Sequence, residues 1–204
     1  MDRSQFWNKI YQDKNHAEQS WFQEVQAKSL DMILGMNLAS NAKIIDIGGG
    51  DSKLVDSLLG LGYSDISILD ISGISLAKAK ERLKAHSSSI QFIESDVTIF
   101  KPRREYDVWH DRATFHFLNE MADVEKYLQV ACEALCADGN LIVSTFSKTG
   151  PEKCSGLSIS QYSEADLKAV FGKYFKNTRC FEDAHLTPWG TTQNFVYCGF
   201  KKSV

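Results

Sequence analysis

The chain has 204 residues, 43% of them hydrophobic and 24% charged, with a formal net charge of −3, which suits one globular domain with one substantial core and excludes the strongly basic footprint of a dedicated nucleic-acid binder. No uncharged apolar run approaches the roughly 20 residues that cross a bilayer, and the stretch from Met1 to Lys9 has no signal-peptide apolar core, so a cytoplasmic protein with no membrane partner is expected. The five cysteines, Cys132, Cys136, Cys154, Cys180 and Cys198, are odd in number and contain no Cys-x-x-Cys; reduced thiols are expected rather than a disulfide framework or a zinc knuckle.

In chain order, the first 40 residues carry one helical segment, about Phe22 to Met36, outside any strand–helix alternation. From Lys43 the alternation begins, as in a parallel sheet with crossover helices. Lys43 to Ile47 reads as the first strand, and Ser52 to Leu61 as a helix with Leu54, Val55, Leu58 and Leu59 on one face. Ile66 to Asp70 is the second strand, Ile74 to Ala85 a helix, Ile90 to Glu94 the third strand and Tyr106 to His110 the fourth. Val124 to Leu135 is helical, Asp138-Gly139 a turn and Leu141 to Phe146 the fifth strand. Lys148 to Ser160 reads as a loop, and Ser163 and Asp166 have capping-box spacing at the head of a helix reaching Phe171. Thr178 to Glu182 and Phe195 to Phe200 are two closing strands. The fold class is therefore doubly wound α/β.

The strongest motif is Ile44-Ile45-Asp46-Ile47-Gly48-Gly49-Gly50-Asp51. A strand ends in a carboxylate, a glycine turn follows, and a helix begins, which is where such sheets bind nucleotides. Glycines let the backbone approach a ligand closely. A pyrophosphate wants a bare helix N-terminus, and Asp46 and Asp51 would repel it; they suit the ammonium and sulfonium of S-adenosylmethionine (SAM) instead. Lys53 stands where the third glycine of a dinucleotide fingerprint would be. Asp70 lies 22 positions beyond Gly48, the spacing at which a carboxylate meets ribose hydroxyls, with Ile71 beside it. After the third strand, Asp96 can accept the adenine amino group and Val97 can lie against the ring.

These residues together resemble the class I SAM-dependent methyltransferases. The likeness covers about residues 43–147. Leu69-Asp70-Ile71-Ser72, Trp109-His110-Asp111-Arg112, Phe115-His116-Phe117-Leu118 and Cys154-Ser155-Gly156-Leu157 look like a bacterial stand-alone branch, distantly similar to small protein-lysine methyltransferases. The resemblance implies a mostly parallel seven-stranded sheet with helices on both faces and an antiparallel last strand. It also implies SAM as cofactor and S-adenosylhomocysteine as product. Ala137-Asp138-Gly139 departs from the Pro-Gly-Gly common there. One domain over 1–204 is expected: an N-terminal helical lid over 1–40, the SAM-binding core over 41–147, and an acceptor-side loop with closing strands over 148–204.

In this fold the loop after the fourth strand faces the methyl group. His110, Asp111 and His116 are the candidate bases there, against a bland reading in which Asp111 pairs with Arg112 and His116 only packs. Their spacing suits no metal. Trp7 and Tyr11, with Trp21 and Phe22, offer aromatic faces to a sulfonium or simply pack the N-terminal helix. Cys154 reads as a structural or solvent-exposed thiol, and His185 as a pocket or turn residue. The expected reaction is methyl transfer from SAM to an N, O or S nucleophile of a small-molecule or protein acceptor. The alternatives are a nicotinamide-dependent oxidoreductase and a non-catalytic SAM-binding module. The oligomeric state is open.

Overall fold

In the computed structural model, which describes residues 2–13 and 19–203, the central strands are the near-continuous apolar runs expected of a sheet covered on both faces. Five of them follow in chain order: β1 (Lys43–Ile47), β2 (Asp65–Asp70), β3 (Ile90–Glu94), β4 (Tyr106–Arg112) and β5 (Leu135–Phe146). A two-residue hairpin comes next, β6 (Lys153–Cys154) with β7 (Leu157–Ser158), then β8 (Phe175–Leu186) and β9 (Thr192–Lys202). The large sheet has seven strands in the order β3-β2-β1-β4-β5-β9-β8. The strands from β1 to β5 pair in parallel, and β9 is antiparallel to both neighbours.

The helices are α1 (Arg3–Asp13), α2 (Ala27–Leu34), α3 (Leu54–Gly60), α4 (Gly73–Arg82), α5 (Met121–Ala134) and α6 (Glu164–Phe171). They cover two apolar layers. One gathers Trp109, Phe115, Tyr127, Leu167 and Phe171, and the other Ile33, Ile44, Leu54, Leu58 and Phe146. Side chains alternate along β4, so Trp109 and Asp111 enter the first layer and Val108, His110 and Arg112 face the second. The chain reverses direction across the sheet between β1 and β4. The open crevice at their carboxyl ends is the topological switch point, where ligands of such sheets bind.

Several expectations change in detail. The N-terminal helix expected over Phe22 to Met36 is α2, shortened to eight residues, and a further helix, α1, precedes it. Asp138-Gly139, expected as a turn between the helix and the fifth strand, lies within β5. Asp138 takes a left-handed φ of 63° inside β5, opposite a register shift in β4, so the chain kinks and pairing continues. The two closing strands form a much longer hairpin, and its polar edge strand β8 gives little apolar signal of its length. Ser163 and Asp166 do form the reciprocal capping box at the head of α6.

The cysteines are not all reduced. Cys180 and Cys198 form a disulfide, because they face each other directly across β8 and β9. That register is set by the hairpin and cannot be read from a separation of 18 residues. Among the described residues no helix is long and apolar enough to cross a membrane.

Candidate functional site

The cleft at the switch point encloses about 810 Å³ of non-atom space, open solvent at its mouth included. One wall comes from the β1 turn. The Gly48 amide donates to the Leu69 carbonyl at 2.7 Å, which pins the turn against the end of β2. Gly48 has a φ of +63°, and a Cβ there would lie 1.8 Å from Thr114 Oγ1. Gly50 has a φ of +44°, and a Cβ there would lie 2.8 Å from both Asp70 Oδ2 and the Tyr11 hydroxyl. The two glycines thus keep open a gap that any side chain would fill.

Asp70 lies at that gap. Its Oδ1 accepts from the Ser72 amide at 2.7 Å. Burial pushes its carboxyl up to about 7, against the pull of that amide and of Ser75. Ile71 lines the cleft beside it, and Asp96 and Val97 line the next stretch. Asp96 caps the short turn that follows it: its Oδ1 accepts from the amide and hydroxyl of Thr98, both at 2.8 Å, and its Oδ2 faces Arg3.

The α1 helix closes this side. Ser4 donates to the Ile71 carbonyl at 3.1 Å, and Asn8 Oδ1 accepts from the Ser72 hydroxyl at 2.7 Å. Trp7 and Tyr11 on the same face line the cleft. The spacing 4, 7, 8, 11 is one stripe of a helix, a signal present in the sequence but mixed polar and aromatic, so it does not read as a core face. Burial, with Asp70 close by, holds the Tyr11 hydroxyl well above its ordinary pKa. Trp7 meets Phe117 edge-on at 5.0 Å and Trp21 at 6.1 Å, forming an aromatic wall.

The other expected residues sit elsewhere. Asp46 does not line the cleft. Its Oδ1 accepts from His110 Nδ1 at 2.7 Å and its Oδ2 from the Ser52 hydroxyl at 3.3 Å. Asp51 pairs with Arg82. Both carboxylates are taken up by protein partners and neither is among the residues lining the cleft, which differs from the place expected of them. Both brace the glycine turn from beneath, where Gly49 packs on the Asp46 carboxylate.

The expected bases are also displaced. His110, 1% exposed, lies between Asp46 and the Ser29 hydroxyl, which is 2.8 Å from its Nε2. Asp111 is fully buried; it accepts from the amides of Thr114 and Phe115 at 2.9 and 3.2 Å and from the Tyr127 hydroxyl at 2.8 Å. Burial lifts its carboxyl to about 6. It makes no pair with Arg112, because neighbouring strand residues point to opposite faces. His116 is buried beside Phe117 and Phe146. Burial and the Arg112 charge push it down to about 3, so it is neutral. None of the three lines the cleft. His185 accepts from the Gln23 side chain at 3.0 Å through Nδ1 and donates to the Ser20 carbonyl at 2.8 Å, which is the turn-stabilising role.

The part of the expected loop that does line the cleft is Arg112, Ala113, Thr114 and Phe117, with Leu118, Trp21 and the buried Cys154 beside them. Ala113 holds a φ of +69°, a conformation that a non-glycine residue adopts only where its surroundings impose it. The Thr114 hydroxyl donates to the Ile47 carbonyl at 3.2 Å and ties this loop to β1. No group of metal ligands occurs among the described residues.

A family model described as a methyltransferase domain matches residues 38–190. The eEF1A lysine and N-terminal methyltransferase of Mus musculus is 26% identical over 145 residues, 64% of this chain and 20% of that protein, so the chain spans about a fifth of that relative's length. Malonyl-[acyl-carrier protein] O-methyltransferase 1 of Ilyobacter polytropus is 30% identical over 164 residues, 75% of this chain and 60% of that protein. Among solved structures, N-methyltransferase NodS of Bradyrhizobium japonicum with S-adenosylhomocysteine has a TM-score of 0.78 at 11% identity, covering 100% of each chain. That likeness is one of fold.

Proposed function

The chain belongs to the methyltransferase-domain family and uses SAM, and from that premise we propose how the cleft divides the work between cofactor and acceptor. Asp70 receives the ribose hydroxyls. Asp96 and Val97 hold the adenine end, with Ile71 between. The turn Gly48-Gly49-Gly50 lets the backbone come close to the methionine end, and Trp7 and Tyr11 close over it from α1. The observation that carries this reading is the gap beside Asp70, bounded by a glycine that tolerates no Cβ and by the Tyr11 hydroxyl. Its donor set, a buried carboxylate with a phenol, fits a ribose diol.

When bound, the cofactor supplies a methyl group already activated by its sulfonium. The protein's own task is to align a nucleophile and exclude water. Arg112, Thr114, Phe117 and Trp21 form the face where the acceptor arrives. Asp46, His110, Asp111 and His116 are positioning residues. They fix the glycine turn and the loop after β4, and they take no proton from the acceptor. Among the described residues Asp70 and Asp96 are the only carboxylates lining the cleft, and no imidazole lines it, which favours an acceptor whose nucleophile is already deprotonated.

The family match decides against the nicotinamide-dependent alternative. The test of transfer is an assay with methyl-tritiated SAM on a lysate depleted of this protein, divided into protein, RNA and small-molecule fractions. Label in the protein or small-molecule fraction, with S-adenosylhomocysteine formed in equal amount, supports the reading. Cofactor binding with no label transferred anywhere would leave a non-catalytic binding module.

A further inference from the structure

Arg112 is the one ionisable residue of the expected loop that lines the cleft, and among the described residues no carboxylate pairs with it. It is 8% exposed. Its Nε donates to the Tyr197 hydroxyl at 3.2 Å and its Nη1 to the Trp21 carbonyl at 3.0 Å, and the guanidinium rests 4.9 Å above the Phe195 ring. These partners are all neutral. Nη2 is out of contact with solvent and has no hydrogen-bond partner among the described residues. Asp111, the adjacent carboxylate, is on the other face of β4 and committed to Tyr127, Thr114 and Phe115.

A buried guanidinium normally stands beside a carboxylate, because an unpaired buried charge is strongly destabilising. The two nearby imidazoles do not relieve it. His116 and His185 are both held neutral, each by burial and by the Arg112 charge itself. The other arginine at the cleft, Arg3, is far along it and already pairs with Asp96 and Asp123.

We propose, resting on the methyl-transfer reading above, that Arg112 is a specificity-determining residue that seats a carboxylate of the methyl acceptor at the inner end of the cleft. The aromatic lining on this face is Trp21 and Phe117, so the body next to that carboxylate is apolar or aromatic. A guanidinium fork matches a carboxylate in geometry as well as charge. The same charge repels an ammonium, which sets this acceptor class apart from a lysine side chain. The carboxylate enters beside Trp21, whose carbonyl must release or share Nη1 as the guanidinium turns to receive it.

The probe is benzoate, against its neutral isostere benzamide, titrated into the full-length protein saturated with S-adenosylhomocysteine. Wild type should bind benzoate about tenfold or more tightly than benzamide, as a charge-assisted pair requires. Arg112→Met should erase the preference while binding S-adenosylhomocysteine and 5′-methylthioadenosine as wild type does. Arg112→Lys keeps the charge without the fork and should retain a reduced preference, so the proposal stays testable if the methionine variant does not fold. Equal binding of the two probes to wild type, or a preference that survives in Arg112→Met, overturns it. So does an Arg112→Met protein that loses affinity for S-adenosylhomocysteine but not for 5′-methylthioadenosine. In that case the carboxylate is the cofactor's own, and the methyltransferase reading stands without the acceptor assignment. A wild-type protein that binds no S-adenosylhomocysteine would instead bring down the methyltransferase reading on which the proposal rests.

Discussion

Cofactor binding should depend on pH through Asp70. Its carboxyl is buried and lifted to about 7, so near neutrality the ligand-free cleft holds it as a mixture of acid and carboxylate. Two ribose hydroxyls are donors, and they favour the ionised form. Below the pKa, binding must therefore release a proton, and affinity should rise with pH and level off above it. With a pKa of about 7, the ionised fraction grows about tenfold between pH 6 and pH 8, and affinity grows by the same factor, which is about 1.4 kcal/mol. The probe is 5′-methylthioadenosine, which keeps the ribose and carries no amino-acid group to titrate. Calorimetry in buffers of different ionisation enthalpy reads both the affinity and the proton release. Asp70→Asn should abolish the pH step and weaken binding at pH 8 by about 1.5–3 kcal/mol, the worth of hydrogen bonds to a charged group. For the ligand-free protein the sign is opposite. The folded carboxyl keeps its proton while the unfolded one, near the ordinary value of 3.8, has lost it, so this residue's contribution to stability falls as pH rises from about 4 to about 7. Affinity that is flat from pH 6 to pH 8, or a pH step that persists in Asp70→Asn, would refute the assignment.

Other perturbations separate the cleft from its supports. Gly48→Ala should lower the Tm and weaken S-adenosylhomocysteine together, because its Cβ meets Thr114 Oγ1 at 1.8 Å and its φ is +63°; adding Thr114→Ala should recover part of the Tm, and no recovery would discredit the steric cause. His110→Ala strands a buried carboxylate and a buried hydroxyl, so chemical denaturation should show a loss of about 3 kcal/mol or more, and turnover lost without any loss of stability would return His110 to the list of bases. Asp111→Asn should lower stability by about 1–3 kcal/mol with turnover of the folded fraction nearly unchanged, and should remove a contribution to stability that in wild type falls between pH 4 and about 6. Alkylation of the denatured, unreduced protein followed by mass spectrometry should label Cys132, Cys136 and Cys154 but neither Cys180 nor Cys198, and labelling of all five would contradict the disulfide.

The strand ends were legible in the sequence because each couples a short apolar run to a carboxylate or a glycine. Asp70, Ile71, Asp96 and Val97 line the cleft on that signal alone. The same signal misplaced Asp46, since a strand-end carboxylate can turn under the glycine loop as readily as over it. What decides is its partner across the sheet, His110 on β4, and sequence does not show pairing between strands 64 positions apart. The acceptor loop misled for a related reason. Ionisable residues in a row suggest one site, but along β4 they alternate between two faces, so His110 and Arg112 part company with Asp111. Helix α1 carries no strong apolar stripe, because its inner face is polar and aromatic and meets a cleft and a turn rather than the core. Ala113 and Thr114 are unremarkable residue types, and their place at the site follows from backbone conformation.

The most direct test of the account is the structure of the protein with S-adenosylhomocysteine bound. Both ribose hydroxyls should lie within hydrogen-bond distance of the Asp70 carboxylate. The adenine should lie against Val97 and the sulfur should point toward the side of the cleft lined by Thr114, Phe117 and Arg112, with Arg112 Nη2 still without an anion. A nucleoside bound away from Asp70, or a sulfur directed away from that loop, would contradict it.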